Sequence, residues 1–322
     1  MADYAYNLDK LSSTLDAGHL VEVRESPRKG LGLFARETIT RGTRIIAEYP
    51  LLKAVTVSSH GVNVLAAFHN LPPFKQQAYL GLHEYASDTF KEENDWESLS
   101  DLDRRVLAIF AANRWGRDVF WLASQFNHSC IPNIHNAHNP TIQMETFHSI
   151  QEIEAGEELT VSYIAGICAR DERQAQLKKW GFECKCPVCQ DTSDDNKLEQ
   201  NFAQIAFLSQ ELKIAGALPS KKTLDAFRRM AGLMRSTGLV GKYLHNCYLD
   251  AAFCSAVLGS AQMAMLWTEK EVEVNDYCLG KDHLDCQKEV RVMRQLRSAA
   301  KSKRPFHYTH ISWVLDWDQG PE

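Results

Sequence analysis

Apolar residues recur at two different periods along this chain, and the change of period divides it into segments. Leu20-Val21-Glu22-Val23, Leu31 to Ala35 and Arg44-Ile45-Ile46-Ala47 are short extended-looking runs punctuated by Gly30, Gly32 and Gly42. A small β unit is therefore predicted from His19 to about Leu52. From about residue 58 to 112 the spacing becomes helical, with Val62, Leu65, Phe68 and Leu71, then Leu102, Val106, Ile109 and Phe110 behind a Ser100-Asp101 capping signal. Extended patterning returns at about Ile142 to Phe147 and at Glu158 to Tyr163, so the sheet must be assembled from distant segments. The polar run Gln190 to Asn196 reads as a linker. Beyond it the pattern is wholly helical: Leu198, Phe202, Ile205, Leu208 and Leu212 form one stripe, and Leu224, Phe227, Met230 and Met234 another. Gly241, Gly259 and Gly280 mark breaks between helices, with Asp282 as N-cap of the last. The tail is expected to be a packed helical bundle covering one side of the β-rich part, and it carries no clean tetratricopeptide signature.

With 322 residues, 44% of them hydrophobic, the chain can bury a large core. Its net charge of −5 removes any whole-molecule attraction to nucleic acid, so no direct nucleic-acid binding is expected. No run approaches the ~20 apolar residues of a membrane span, and Met1-Ala2-Asp3-Tyr4-Ala5-Tyr6 lacks the form of a signal peptide. Residence inside the cell, in nucleus or cytoplasm and off the membrane, is the expectation. Nine cysteines, odd in number and clustered, favour free thiols and a metal over disulfides.

Cys184, Cys186 and Cys189 form a C-x-C-x2-C cluster, one donor short of the four that a structural zinc site requires. Cys130 is the natural fourth ligand. His128 could supply a nitrogen instead, but the all-sulfur set is preferred; four thiolates close the coordination shell and make the zinc structural. The other five cysteines, Cys168, Cys247, Cys254, Cys278 and Cys286, lack ligand spacing and read as buried thiols. Asn127 and His128 follow the apolar run Phe120-Trp121-Leu122-Ala123, so they should be at least half buried and hydrogen-bonded. Taken alone, Gly30 and Gly32 mark a tight turn and Tyr163 is a packing residue. The run is not a dinucleotide fingerprint, since Ala35 stands where the third glycine belongs.

Taken together and in order, Lys29-Gly30-Leu31-Gly32-Leu33-Phe34-Ala35, Asn127-His128-Ser129-Cys130, the Gly156 to Tyr163 strand and Cys184-Lys185-Cys186-Pro187-Val188-Cys189 resemble the SET-domain protein lysine methyltransferases. The resemblance covers residues 19 to 190 well and the tail loosely. It is greatest for the branch whose SET domain is split by an insertion. The MYND finger that many of those relatives carry is missing, because no cysteine precedes Cys130. The resemblance implies an α+β fold: a β-rich catalytic domain over 1–190, with a helical insertion at about 55–120 and a zinc-bound segment at about 180–190, then an all-α domain over 197–322. It implies S-adenosylmethionine held by Lys29, Gly30, Leu31, Gly32, Asn127, His128, Tyr163 and Phe182. Tyr163 would be the catalytic residue, Tyr163 and Trp180 would line the substrate lysine channel, and Cys130, Cys184, Cys186 and Cys189 would hold one structural zinc. The partner would be a protein presenting a lysine, a histone tail or a non-histone protein. Trp180 stands where relatives often have tyrosine, which leaves the number of methyl groups transferred open. Rival readings are a catalytically inactive scaffold and a methyltransferase acting on a small metabolite.

Overall fold

The computed structural model of the protein describes residues 17–27, 29–54, 62–191, 193, 195–214 and 218–302. The amino-terminal expectation, residues 55–61 of the insertion and Thr192 and Asp194 of the linker lie outside these.

The first β unit forms where the pattern places it. Strands β1 (Val21–Ser26) and β2 (Gly30–Ala35) pair antiparallel, with Ser26 opposite Gly30, whose φ of +78° closes the turn. Strands β3 (Arg44–Glu48) and β4 (Leu52–Lys53) follow. The segment after β4 is helical: α1 (Val62–His69), α2 (Pro73–Leu80), α3 (Asp88–Glu93) and α4 (Asp101–Asn113). Ser100 caps α4 by accepting from the Asp103 amide at 3.2 Å, and Val106, Leu107 and Ile109 become its buried face.

Six further strands return to the sheets: β5 (Arg114–Trp115), β6 (Asp118–Val119), β7 (Asn127–His128), β8 (Ile134–Asn139), β9 (Met144–Ser149) and β10 (Glu158–Val161). They build three sheets in the orders β1-β2-β10-β7, β3-β9-β8 and β4-β6-β5. β7 runs parallel to β10, with Asn127 opposite Thr160 and His128 opposite Val161. Two predicted edges move. Ile142 and Gln143 belong to the β8–β9 turn, where Gln143 adopts a φ of +59°, and Tyr163 lies two residues past β10 rather than ending it. β8, Ile-His-Asn-Ala-His-Asn, is invisible to a period-two reading because polar residues occupy both of its faces.

Behind the sheets come α5 (Arg170–Leu177), α6 (Pro187–Gln190), α7 (Lys197–Ile214), α8 (Lys221–Thr237), α9 (Lys242–Val257), α10 (Ala261–Leu279) and α11 (Leu284–Ser302). The predicted linker ends in a joint. Asn196, 6% exposed, donates to the Val188 and Asp191 carbonyls and accepts from the Glu199 amide, which caps α7 and ties it to the cysteine segment. One hydrophobic core accordingly runs from Cys130, Leu177 and Val188 into Phe202, Ile205 and Met230 of the tail, while a second fills the β-rich part around Leu33, Ile46, Phe126 and Phe147.

The tail packs on the β3-β9-β8 sheet, and its glycines mark the closest approaches. A Cβ on Gly42 would meet Tyr277, and one on Gly241 would meet Ile150 at 3.2 Å. Asp282 is not the N-cap of α11: its carboxylate pairs with Arg44, and His283 Nδ1 accepts from the Asp285 amide at 3.1 Å instead. The pull of a partly buried guanidinium outweighs a solvent-facing cap. No helix among the described residues is long and apolar enough to cross a membrane.

Candidate active site

The loop entering β7 is shaped by a buried carboxylate. Glu48, 3% exposed, accepts from the amides of Trp121 (2.7 Å), Leu122 (3.0 Å) and Ala123 (3.0 Å). Three backbone donors satisfy a charge that would otherwise be costly to bury, and they fix the chain just before Asn127.

Asn127 then meets the first hairpin. Its Nδ2 donates to the Leu31 carbonyl at 2.9 Å and to Glu158 Oε1 at 2.8 Å, while Glu158 Oε2 accepts from Lys29 Nζ at 2.7 Å. Burial alone would raise the Glu158 carboxyl, but Lys29 and Asn127 outweigh it and hold the group below the usual carboxylate range. Gly32 is confined by the same pair: a Cβ there would stand 2.7 Å from Glu158 Oε1 and 2.8 Å from Asn127 Nδ2. Gly30 has open space around it and is needed only for its positive φ. Glu158 lies in the Gly156 to Tyr163 run without a predicted side-chain role; a charged residue at the start of a strand otherwise turned inward is what marks it.

His128 faces the other way. Its Nδ1 accepts from the Tyr163 amide at 3.0 Å, so in the neutral ring Nε2 carries the proton, and it points at Cys130 Sγ, 3.5 Å away. Burial pushes this imidazole down to about 4, which keeps it neutral. Both nitrogens thus meet groups of the protein itself, and His128 stands outside the quartet of sulfurs.

Tyr163 is the hub. Its hydroxyl donates to the Phe126 carbonyl at 2.5 Å, and its ring lies 5.4 Å from His128, 5.3 Å from Trp180 and, edge-on, 6.2 Å from Phe182. Burial, reinforced by Glu158, raises the phenol, so it stays protonated. Trp180 and Phe182 flank Gly181, whose φ is +78° and whose absent Cβ leaves room for the Tyr85 ring; an added Cβ would fall 2.5 Å from it. Tyr85 comes from the loop between α2 and α3, and no local sequence signal connects it to Gly181. A cavity of about 1550 Å³ between sheets and tail is lined by Phe126, Tyr163 and Trp180 but not by Asn127, His128 or Phe182. Tyr163 lines that cavity, while its ring also meets His128 and Phe182, which do not. Outside the cavity lining the apolar Leu31 and Phe182 stay 40% and 37% exposed, Leu31 bonded through its carbonyl to Asn127 and Phe182 with its ring 6.1 Å from His128.

The four predicted cysteines converge. All their sulfurs lie within 4.8 Å of one another, Cys130 being 3.9 Å from Cys184 and 3.6 Å from Cys189. Tetrahedral zinc with Zn–S of about 2.3 Å places sulfurs about 3.8 Å apart, whereas a disulfide needs about 2.0 Å. The spacing fits a metal. Arg173, fully buried, adds an independent sign. It donates to Cys189 Sγ at 3.4 Å while pairing with Glu199 and lying over the Phe202 ring. A guanidinium beside sulfurs compensates the charge that four thiolates leave on a divalent ion. Nothing in its sequence context marked it. The five other cysteines are buried and stand outside the cluster.

Residues 30–164 match the SET domain family. Over 266 residues, 80% of this chain and 78% of that protein, the sequence is 27% identical to Histone-lysine N-methyltransferase set5 of Schizosaccharomyces pombe. A stretch of 74 residues, 22% of this chain and 17% of that protein, is 40% identical to Histone-lysine N-methyltransferase SMYD3 of Mus musculus. Among solved structures, the SET domain of LSMT bound to lysine and AdoHcy matches with a TM-score of 0.41 at 10% identity, covering 94% of this chain and 92% of that one.

Proposed function

On the premise that the chain is a SET-domain protein, with residues 30–164 as that domain, we propose that it transfers a methyl group from S-adenosylmethionine to a lysine side chain of a protein. Its assignment as a lysine methyltransferase is supported by the named activity of its relatives. The observation that carries the mechanism is the position of Tyr163, whose side chain lines the large cavity while its amide donates to His128, the residue next to Asn127.

The residues fit the cofactor. Gly32 lets Asn127 and Glu158 close onto the first hairpin, and next to them Leu31 and Phe182 present uncovered apolar surface that an adenosyl group would cover. When bound, S-adenosylmethionine would supply an electrophilic sulfonium methyl. On the cavity side, Phe126, Tyr163 and Trp180 would sleeve the substrate lysine, which must lose its proton before its lone pair can attack. Its normal pKa is about 10.4, and an apolar sleeve lowers it by disfavouring the ammonium. Tyr163 is a neutral phenol and His128 Nδ1 is already occupied, so neither serves as base, and the proton leaves to water in the cavity. Tyr163 acts by alignment.

The zinc-bound cysteine segment would hold Trp180 and Phe182 in place. We place the chain in the split-SET branch, with the helical insertion supplying Tyr85 against Gly181 and no MYND finger. A histone is the first substrate to test. Labelled S-adenosylmethionine offered with core histones, and separately with cell lysate, should deposit label on protein lysine. Label confined to small molecules, or none on any protein, would overturn the reading.

A further inference from the structure

Behind the cavity wall, three helices of the tail bring together groups that the methyl-transfer reading does not use. His245 on α9, Glu271 on α10 and Glu289 on α11 place one ligand atom each within 4.8 Å of the others. His245 Nε2 lies 3.3 Å from Glu289 Oε1 and 3.5 Å from Glu271 Oε1. The side chains of His245, Glu271 and Glu289 are 15%, 2% and 16% exposed, and no Lys or Arg among the described residues forms an ion pair with either carboxylate.

Three observations point to a ligand. First, His245 Nδ1 lies 3.0 Å from Asn246 Oδ1, which fixes the ring and turns Nε2 toward the two carboxylates. Burial alone would lower its pKa, but without an ion those carboxylates hold a proton on the ring and raise it to about 10, and a metal would take that proton's place. A partner on the far ring nitrogen is what orients metal-binding histidines. Second, the Nε2–oxygen separations exceed the roughly 2.7–2.9 Å of a charge-assisted hydrogen bond and match the edge of about 3.3 Å between N and O donors around tetrahedral zinc. Third, Glu289 Oε2 and Thr268 Oγ1 are buried without a hydrogen-bond partner, and Thr268, 0% exposed, lines the cavity one turn before Glu271 on α10. Asn275, a further turn along, holds Glu289 Oε1 by a short hydrogen bond.

We propose that His245, Glu271 and Glu289 form a second metal site, taking a divalent first-row cation of the zinc type through one imidazole nitrogen and two carboxylates. Two carboxylates and a neutral imidazole balance a 2+ ion, and imidazole selects against magnesium and calcium. The ion joins α9, α10 and α11 and so stiffens the wall of the cavity that also holds Tyr163 and Trp180. The site is chemically separate from the cysteine quartet and does not depend on the methyl-transfer reading.

The test uses the whole chain. Protein prepared in zinc-replete medium should carry two zinc ions, one of which EDTA removes while the thiolate-bound ion stays. Returning zinc alone should restore the second equivalent and raise Tm. Cobalt in the emptied site should give weak d–d bands without the thiolate charge-transfer absorption of the cysteine site. Glu289→Gln, nearly isosteric, should bind one zinc only. Should that variant fail to fold, the parent still decides. A parent holding a single zinc, whose Tm does not respond to added zinc, would overturn the proposal and leave a proton on His245 as the link between the two carboxylates.

Discussion

Gly32 and Asn127 approach so closely that a Cβ on the glycine would stand 2.8 Å from Asn127 Nδ2. The hairpin and the Asn127-His128 strand are therefore locked across the point where three non-consecutive strands meet. Gly32→Ala must push Asn127 or Glu158 aside, and S-adenosylhomocysteine affinity should fall by roughly tenfold or more, an effect above about 1.4 kcal/mol. Gly30→Ala, in open space, should cost only the strain of a positive φ, about 1 kcal/mol of stability. Calorimetric titration of both variants checks this, and equal loss of binding in the two would contradict it.

Tyr163→Phe keeps the ring packing against His128 and Trp180 but deletes the hydroxyl that donates to Phe126. Cofactor affinity and zinc content should hold while the rate of methyl transfer drops at least roughly tenfold, because alignment matters more in the transition state than in the ground state. A variant turning over at the parental rate would reduce Tyr163 to a packing residue.

Arg173→Met removes the cation between Glu199 and the sulfurs. Loss of one partner from a buried pair costs about 3–5 kcal/mol, and the zinc should become easier to chelate. Denaturant unfolding and a competition assay with a metal-sensitive dye measure the two effects. Unchanged chelation kinetics would mean that Arg173 serves the helix joint alone.

Gly181→Ala forces a Cβ into the Tyr85 ring in addition to straining a positive φ. It should destabilise by more than the roughly 1 kcal/mol of the backbone term, and Tyr85→Ala in the same chain should recover the excess. Strict additivity of the two substitutions in thermal unfolding would show that the steric contact carries no energy.

His148, 1% exposed, accepts from Arg44 Nε at 3.3 Å and is pushed down to about 3 by burial, with Arg44 adding to it. Unfolded, it titrates near 6.5, so between these values the unfolded chain binds a proton that the native chain does not. The stability it contributes is therefore complete above about pH 6.5 and is lost as pH falls toward 3, by up to about 1.4 kcal/mol per pH unit. His148→Gln should flatten that slope in urea midpoints taken between about pH 7 and pH 5. An unchanged slope would place the acid sensitivity elsewhere.

The sequence by itself determined the elements with strong periodicity and the chemistry with rigid stoichiometry. The first hairpin, α4 with its Ser100 cap and the long tail helices follow from local pattern, and the convergence of the four cysteines follows from the four donors that a zinc site would require. Tertiary structure alone decided the rest. β8 is held by its neighbour β9 rather than by alternation, and Asp282 leaves its predicted cap for Arg44, a residue far away in sequence. Whether His128 or Cys130 completes the cysteine cluster depends on which imidazole nitrogen meets the Tyr163 amide, a matter of ring orientation. Glu48, Tyr85, Glu158 and Arg173 shape the site through partners that no spacing rule connects to them. The physical reason is the same throughout. Hydrophobic period and metal stoichiometry are written in local sequence, whereas the partner of a buried charge or ring is chosen by which distant groups the packed chain brings within a few ångströms.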